Sequence, residues 1–385
     1  MLPSAAVSRT TARFLEQGHP WVRPDRFTLG LEALRSGQAA TLIDQQGRRL
    51  ASALVEPGGS ICARVFHRQP DRAFDPAQAL RRAWARRAEL HSDPATDCYR
   101  IVHGEGDHLP GLRVERYAGV LVVVAFADCI VPWLDAIVAV LRDLSPKSAI
   151  VVKQHAEDLR RSEIATTVRW APPGVQLSTD SVVIGSELGV RYPLTPAGGL
   201  ATGLYVDQRA TRAWLRSRCA GARILNLFGY TGAFSLSALT AGAAHACDVD
   251  LSAPALARAS EAAALNGVAD RHRALRLDCG RFLGETAETW DLIISDPPTA
   301  AQGGDGWVLR RDYPALLAKA ADRLAPGGLL VACCNTLHGK PFPLGEAVRA
   351  TGLKLSDGPA LGEDLPQLQG FPEGRPFRLV AARRA

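Results

Sequence analysis

The sequence predicts an α/β protein whose C-terminal half is an open, mostly parallel sheet covered by helices. Three observations predict it. From about residue 208, apolar strand-like runs alternate with helical periods. Five successive runs in that half end in Gly, acidic or Cys groups, at the sheet edge where open α/β folds bind ligands. The first part of the chain instead carries short strand signals separated by Gly turns, which predicts a β-rich region ahead of the sheet.

The elements follow in order. Within residues 1 to about 70, "AATLIDQQGRRLASALVEPGGSICARVFHR" alternates β-formers with turns at "QQG" and "PGG", and predicts a small β-barrel. "QPDRAFDPA" is a linker. "AQALRRAWARRAEL" has helical period, with Leu80, Ala83, Trp84 and Ala88 on one face. Residues 98 to about 178 predict a compact α+β unit: three strands in "YRIVHGEGDHLPGLRVERYAGVLVVVAF", a helix in "VPWLDAIVAVLRDL" and a strand in "KSAIVVKQ". "VVIGSELGVRYPL" predicts a hairpin. Then come helix "QRATRAWLRSRC", strand "ARILNLF", helix "FSLSALTAG", strand "HACDVD" and helix "APALARASEAAALNG". Ser252 suits the N-cap of that last helix, and Gly267 lies beyond its end. Strand "HRALRLD", short helix "GRFLGET", strand "WDLIISD", helix "DYPALLAKAADRLAPGG" and strand "LLVACCN" complete the alternation.

The totals bound the function. A chain of 385 residues holds two or three domains, and 47% hydrophobic with 22% charged residues is ordinary for a folded protein. No run approaches the ~18 uncharged apolar residues of a membrane span. The start lacks the apolar centre of a signal peptide, so the cytoplasm is the expected compartment. Eight cysteines, at 62, 98, 129, 219, 247, 279, 333 and 334, show no C-x-x-C spacing, so free thiols and no metal site are expected. The net charge is +6, and the first 100 residues hold 15 Arg against 10 Asp and Glu. That surplus fits either a polyanion partner or an arginine-rich solvated surface.

The strand ends carry the candidate chemistry. "NLFGYTGAF", 226 to 234, offers Gly229 and Gly232 for a tight turn close to a ligand. The next ends bring Asp250, then Asp278, then Asp296 with Pro297 and Pro298, then Cys333 and Cys334. An acid after a strand is also the usual N-cap of the following helix, and a Cys in an apolar strand is usually packed in the core. Two prolines after Asp296 stop the strand and stiffen the loop, which holds the carboxylate at the sheet edge. Successive strand residues face opposite ways, so Cys333 and Cys334 cannot both point into a site unless the strand ends between them.

This order of strand ends resembles class I methyltransferases that use S-adenosylmethionine. The chain resembles, over nearly its whole length, the bacterial 23S ribosomal RNA cytosine-5 methyltransferases that carry an N-terminal PUA domain. "GHPWV", "YRIVHGEGDHLPGLRVERY", "TGLYVDQR", "LNLFGYTGAFSLSAL", "DVDLSAPALARASEAAALNG" and "LPQLQGFPEGRPFRLV" carry the resemblance. It implies a PUA-like RNA-binding barrel over 1–72, a middle α+β domain over 73–180, and over 181–385 a Rossmann-like methyltransferase domain with a seven-stranded, mostly parallel sheet. It implies S-adenosyl-L-methionine as cofactor and 23S ribosomal RNA as partner, with no membrane partner and room for a homodimer. Tyr205, Asp207, Gln208 and Arg209 would line the cofactor and the active-site entrance. Asn226, Phe228 and Gly232 would cradle the methionine part. Asp250 would take the ribose and Asp278 the adenine side, with Pro297 bordering the cofactor. Asp296 would face the target base, and Cys334, matching the middle of the family's Ser-Cys-Ser stretch, would be the nucleophile. Three places depart from the family pattern: Ala201 for Lys, Ala300 for an aromatic, and "ACCNT" for Ser-Cys-Ser. They leave open cytosine carbon 5, another base position such as guanine N7, and a degenerate site in an RNA-binding or ribosome-assembly protein.

Overall fold

A computed structural model describes residues 1–154, 165–199, 201–299, 306–335 and 341–385. The chain forms two compact units. The first comprises Met1–Val183, Leu194–Thr202 and Gly362–Arg375; the second comprises Ile184–Pro193, Gly203–Leu361 and Pro376–Ala385.

The first unit begins with β1 (Ser4–Ala6), α1 (Arg9–Gln17), β2 (Trp21–Val22), β3 (Ala39–Ile43), β4 (Arg49–Val55) and β5 (Ala63–His67). The five strands form one sheet in the order β1-β3-β4-β5-β2. Helix α1 was not expected from the sequence. Ser8 caps it by accepting from the Thr11 amide, and only Ala12 and Leu15 are buried on its inner face. Next come α2 (Pro76–Arg86), α3 (Ala88–Ser92), β6 (Cys98–His103), β7 (Leu112–Tyr117), β8 (Val120–Ala125), α4 (Leu134–Leu144), β9 (Ala149–Gln154) and β10 (Ala165–Trp170). Their sheet has the order β10-β9-β8-β7-β6, and α2 and α4 close it with a core of Leu80, Ala83, Ile137 and Leu141.

A buried ion pair ties this unit together. Both Arg87 guanidinium ends reach Asp107, at 2.7 Å each, and Nη2 also donates to the Asp364 carbonyl at 2.7 Å. Phe371, from the same late segment, packs edge-on against Trp21 at 4.8 Å and His19 at 5.3 Å.

The second unit starts at the hairpin β11 (Val183–Glu187) and β12 (Val190–Leu194). Its helices and strands then alternate: α5 (Arg209–Arg216), β13 (Arg223–Leu227), α6 (Ala233–Thr240), β14 (His245–Asp250), α7 (Ala253–Leu265), β15 (His272–Arg276), α8 (Cys279–Glu285), β16 (Trp290–Ser295), α9 (Leu309–Asp322), β17 (Leu324–Cys334), α10 (Leu344–Arg349), β18 (Lys354–Ser356) and β19 (Arg378–Arg383). The sheet order is β15-β14-β13-β16-β17-β19-β18. β13 to β17 are parallel, and β19 lies antiparallel to β17 and β18. This is the seven-stranded, mostly parallel sheet expected. Chain order reverses between β13 and β16, and such switch points open a crevice at the C-terminal strand ends. Ser252 caps α7 as its sequence position suggested.

Replacing Asp107 by Ala leaves the Arg87 guanidinium buried without its carboxylate. The expected loss is about 3–5 kcal/mol, as for other broken buried pairs. Urea denaturation of the full chain checks it; a loss below about 1 kcal/mol would mark the pair as replaceable.

Candidate active site

The loop after β13 is built around a carboxylate that the sequence reading passed over. Asp248, two residues before the expected Asp250, is fully buried. Its Oδ1 accepts from Asn226 Nδ2 at 2.7 Å and from Ser235 Oγ at 2.6 Å, and its Oδ2 lies 2.6 Å from His272 Nε2. A Cβ on Gly229 would come within 2.8 Å of Asp248 Cβ, and one on Gly232 within 2.6 Å of its Oδ2. Gly229 and Gly232 therefore leave no room for a side chain beside Asp248, and Gly232 also has φ 73°. Phe228 (φ 58°) and Tyr230 (φ 49°) are left-handed without being glycine, a conformation that persists only when surroundings impose it. Here hydrogen bonds impose it. The Phe228 amide donates to Cys279 Sγ at 3.3 Å, that of Gly229 to the Val249 carbonyl at 3.1 Å, and that of Tyr230 to Asp250 Oδ2 at 2.9 Å.

Asp250 also accepts from the Ser252 amide through Oδ1, at 2.8 Å. A carboxylate has about four lone-pair sites, so each oxygen keeps capacity for a further donor such as a ribose hydroxyl. Asp278 is exposed and caps α8 by accepting from the Arg281 amide at 2.8 Å. Tyr205 is exposed, its ring 5.5 Å from that of Tyr230.

A second group lies at the ends of β16 and β17. The 3-10 turn Val206–Gln208 leads into α5, whose first residue is Arg209. Buried Gln208 donates from Nε2 to Asp296 Oδ2 at 3.1 Å, and the Asp207 carboxylate lies near enough to repel Asp296. The register pairs Ile294 with Val331 and Ser295 with Ala332. Alternation then puts Val331 and Cys333 on the face of Ile294 and Asp296, and Cys334 on the opposite face. Cys333 faces Gln208 and Asp296. Cys334 packs among Leu330, Ala332, Tyr313 and Phe342, with Arg378 Nη2 at 3.8 Å from its sulfur. The Tyr313 hydroxyl lies 3.0 Å from the carbonyls of both Ser295 and Cys333, pinning the two strand ends.

With this geometry in view, the sequence model of the S-adenosylmethionine-dependent methyltransferases matches residues 99–366, and that of PUA-like domains matches 6–68. The chain belongs to the S-adenosylmethionine-dependent methyltransferase family. It is 32% identical over 357 residues to a ribosomal RNA large subunit methyltransferase of Deinococcus radiodurans, covering 89% of this chain and 86% of that one. It is 31% identical to ribosomal RNA large subunit methyltransferase I of Shewanella denitrificans, covering 96% of each. Among solved structures, SMU.776, a methyltransferase complexed with SAH, superposes with a TM-score of 0.85 over 99% of this chain and 100% of that one, at 19% identity. The PUA-like and Rossmann-like folds and the S-adenosylmethionine cofactor expected from the sequence are those of this family.

Within this methyltransferase, Cys334, the expected nucleophile, lies on the face of β17 opposite Asp296. β17 continues through both cysteines, so its alternation hands the Asp296 face to Cys333. Asn226, expected to cradle the methionine part, spends its amide on Asp248. Pro297 is buried. The Pro298 carbonyl accepts from Trp307 Nε1 at 2.8 Å, and the indole packs 5.0 Å from the Phe228 ring. No spacing rule in the sequence singles out this tryptophan, yet it brings an aromatic to the proline loop where Thr299 supplies none. Ala300, the other position noted there, lies outside the described residues. Burial pushes the Cys333 thiol well above its usual range, with Asp296 adding to it, and burial also raises Cys334.

Asp296 is pushed up to about 7, first by burial and then by Asp207, against the hydrogen bond from Gln208 and the charge of Arg212. Its unfolded value is near ~3.9. Between those limits the folded chain holds a proton that the unfolded chain has lost, so ionisation costs stability as pH rises. Asp296→Asn removes that cost. The variant should gain melting temperature over the wild type at pH 8 and little at pH 4. Equal differences at both would show an ordinary carboxyl.

Proposed function

We propose that this enzyme forms 5-methylcytosine in 23S ribosomal RNA, through a transient thioether between Cys333 and carbon 6 of the base. The observation that supports it most is a thiol, a carboxyl and an amide, from Cys333, Asp296 and Gln208, on one face of adjacent strand ends. The relatives named for large-subunit ribosomal RNA set the substrate class.

Carbon 5 of cytosine is a weak nucleophile, and a thiol added at carbon 6 makes it enamine-like. S-adenosylmethionine supplies an electrophilic methyl group on a sulfonium. Asp250 would offer its remaining acceptor sites to the ribose, exposed Asp278 would border the adenine side, and the strained 228–232 backbone would meet the methionine part. Tyr205 and Tyr230 flank the entrance, and Asp207 and Arg209 border it from the turn and helix beside Gln208. The target base leaves its stack to be reached. Asp296, poised near neutrality, takes the proton of the Cys333 thiol and passes it to N3 as sulfur bonds to carbon 6. After methyl transfer, solvent water takes the carbon 5 proton as the sulfur leaves carbon 6 as a thiolate, and the N3 proton returns through Asp296 to that sulfur.

Residues 1–72 are the RNA-binding domain in this reading, 73–180 the middle domain and 181–385 the catalytic one. The arginine surplus divides on the structure. Arg48, Arg49, Arg64, Arg86, Arg87 and Arg100 sit in ion pairs. Arg9, Arg13, Arg23 and Arg26 are exposed, in the same domain as exposed Phe14 and Phe27. Phosphate contacts and stacked bases suit such a surface. Among the described residues no helix is long and apolar enough to cross a membrane. A cytoplasmic location is part of the same proposal.

Cys333→Ser should fold, bind S-adenosylmethionine and fail to methylate, while Cys334→Ser should lose stability and keep activity. RNA carrying 5-fluorocytosine should trap the wild type covalently, because fluorine does not leave as a proton does. If Cys334→Ser alone is inactive, the thiol is assigned wrongly; if neither change matters, guanine N7 becomes the better reading. For RNA affinity, changing Arg9, Arg13, Arg23 and Arg26 together to Ala should lower the salt slope by about 3–4, at roughly 0.9 per phosphate contact. An unchanged slope would place the RNA surface elsewhere.

A further inference from the structure

Arg212 and Glu187 form an ion pair with side chains 1% and 0% exposed. Arg212 Nε donates to Glu187 Oε1 at 2.5 Å and Nη2 to Oε2 at 2.6 Å. The guanidinium also lies 5.6 Å from the Phe234 ring centre. A buried pair of this kind adds little stability over well-packed apolar residues, because both charges lose water. What an apolar pair could not supply is the third bond. Arg212 Nη2 donates to the Tyr205 carbonyl at 2.9 Å. That carbonyl opens the turn Val206–Gln208, and the turn's own bond, from the Gln208 amide to the same oxygen, is long at 3.3 Å. Two residues separate Tyr205 from Gln208, whose amide reaches Asp296.

We propose that Arg212 is a positioning residue for the target-base site: with Glu187 as its fixed counter-ion it holds the Tyr205 carbonyl, and so sets Asp207 and Gln208 against Asp296. The inference rests on the reading of Asp296 as the proton-handling group. Glu187 comes from the β11–β12 hairpin and Arg212 from α5, so two elements outside the parallel sheet determine where the turn sits. Arg212 also contributes charge. The groups that face Asp296 are Asp207 and Gln208 on the turn, Arg212 on α5 and Cys333 on β17, with Tyr313 of α9 and Cys334 of β17 behind them. Among these Arg212 is the cation, and it favours the ionised carboxylate while Asp207 opposes it.

Three variants test this on the full chain with RNA and S-adenosylmethionine. Arg212→Lys keeps the charge and loses the planar fork. It should lower kcat by about a hundredfold, the effect of a small misplacement at a reacting centre, with KM for RNA little changed. Glu187→Gln leaves the guanidinium uncompensated, so the pH limb of kcat near neutrality should move down. The double variant Glu187→Gln with Arg212→Gln keeps the shape, avoids a lone buried charge and removes the cation, so the limb should move up. A pair that only stabilises the fold would alter melting and leave the limb in place. Wild-type kcat in Arg212→Lys, or an unmoved limb in both other variants, overturns the proposal. Asp296→Asn separates the premise: if that variant keeps the wild-type rate and profile, the reading of Asp296 fails whatever Arg212 does.

Discussion

A carboxylate out of reach of water organises the second unit. Asp248 takes hydrogen bonds from Asn226 on β13 and Ser235 on α6, and meets His272 on β15. A buried acid is costly unless such partners satisfy it, and once satisfied it fixes their relative positions. The loop after β13 is wrapped against the same side chain, with Gly229 and Gly232 touching it where any larger residue would collide. The strained backbone at Phe228 and Tyr230 is held between that contact and the loop's own amide bonds to Cys279, Val249 and Asp250. Asp250, at the end of the same strand, gains its orientation from that strand and from the Tyr230 amide it accepts. The loop after β13 and the end of β14 are thus specified from below, by a fully buried residue.

The ends of β16 and β17 follow a different constraint, the two-residue period of β17. Cys333 and Cys334 are chemically identical and equally buried, and the pleat alone decides which one meets Asp296. Gln208, on the turn before α5, donates a hydrogen bond to Asp296 at the end of β16. Burial and Asp207 keep the Asp296 carboxyl near neutrality, which is the range a proton carrier needs at physiological pH.

Much of this was legible from residues alone. The parallel strands and their helices were marked by apolar runs of alternating period, and α7 by its Ser252 cap and Gly267 stop. Asp250, Asp278 and Asp296 were singled out because strand ends are where such folds bind. Other features left no local signal. Helix α1 buries only two apolar side chains and sits among strand-forming sequence. Strand β19 enters the sheet beside β17 from far along the chain, a pairing that no short window records. Asp248 was passed over because it precedes the more familiar acid by two residues on one strand. Trp307 reaches the proline loop through tertiary packing. Which of Cys333 and Cys334 shares the face of Asp296 is set by the register between β16 and β17, a pairing that no short window records.

The excursion of residues 362–375 into the first unit has a consequence for how the chain is made. On a ribosome the polypeptide emerges from its N-terminus, so the first two sheets are synthesised long before the segment that completes their unit. Until Asp364 appears, the Arg87 guanidinium lacks its carbonyl partner, and the edges of Trp21 and His19 lack Phe371. The intervening stretch holds almost all of the second unit. The last part of the first unit is therefore added only after the second unit's parallel strands have been translated, and the nascent chain holds an unfinished N-terminal body for most of its elongation.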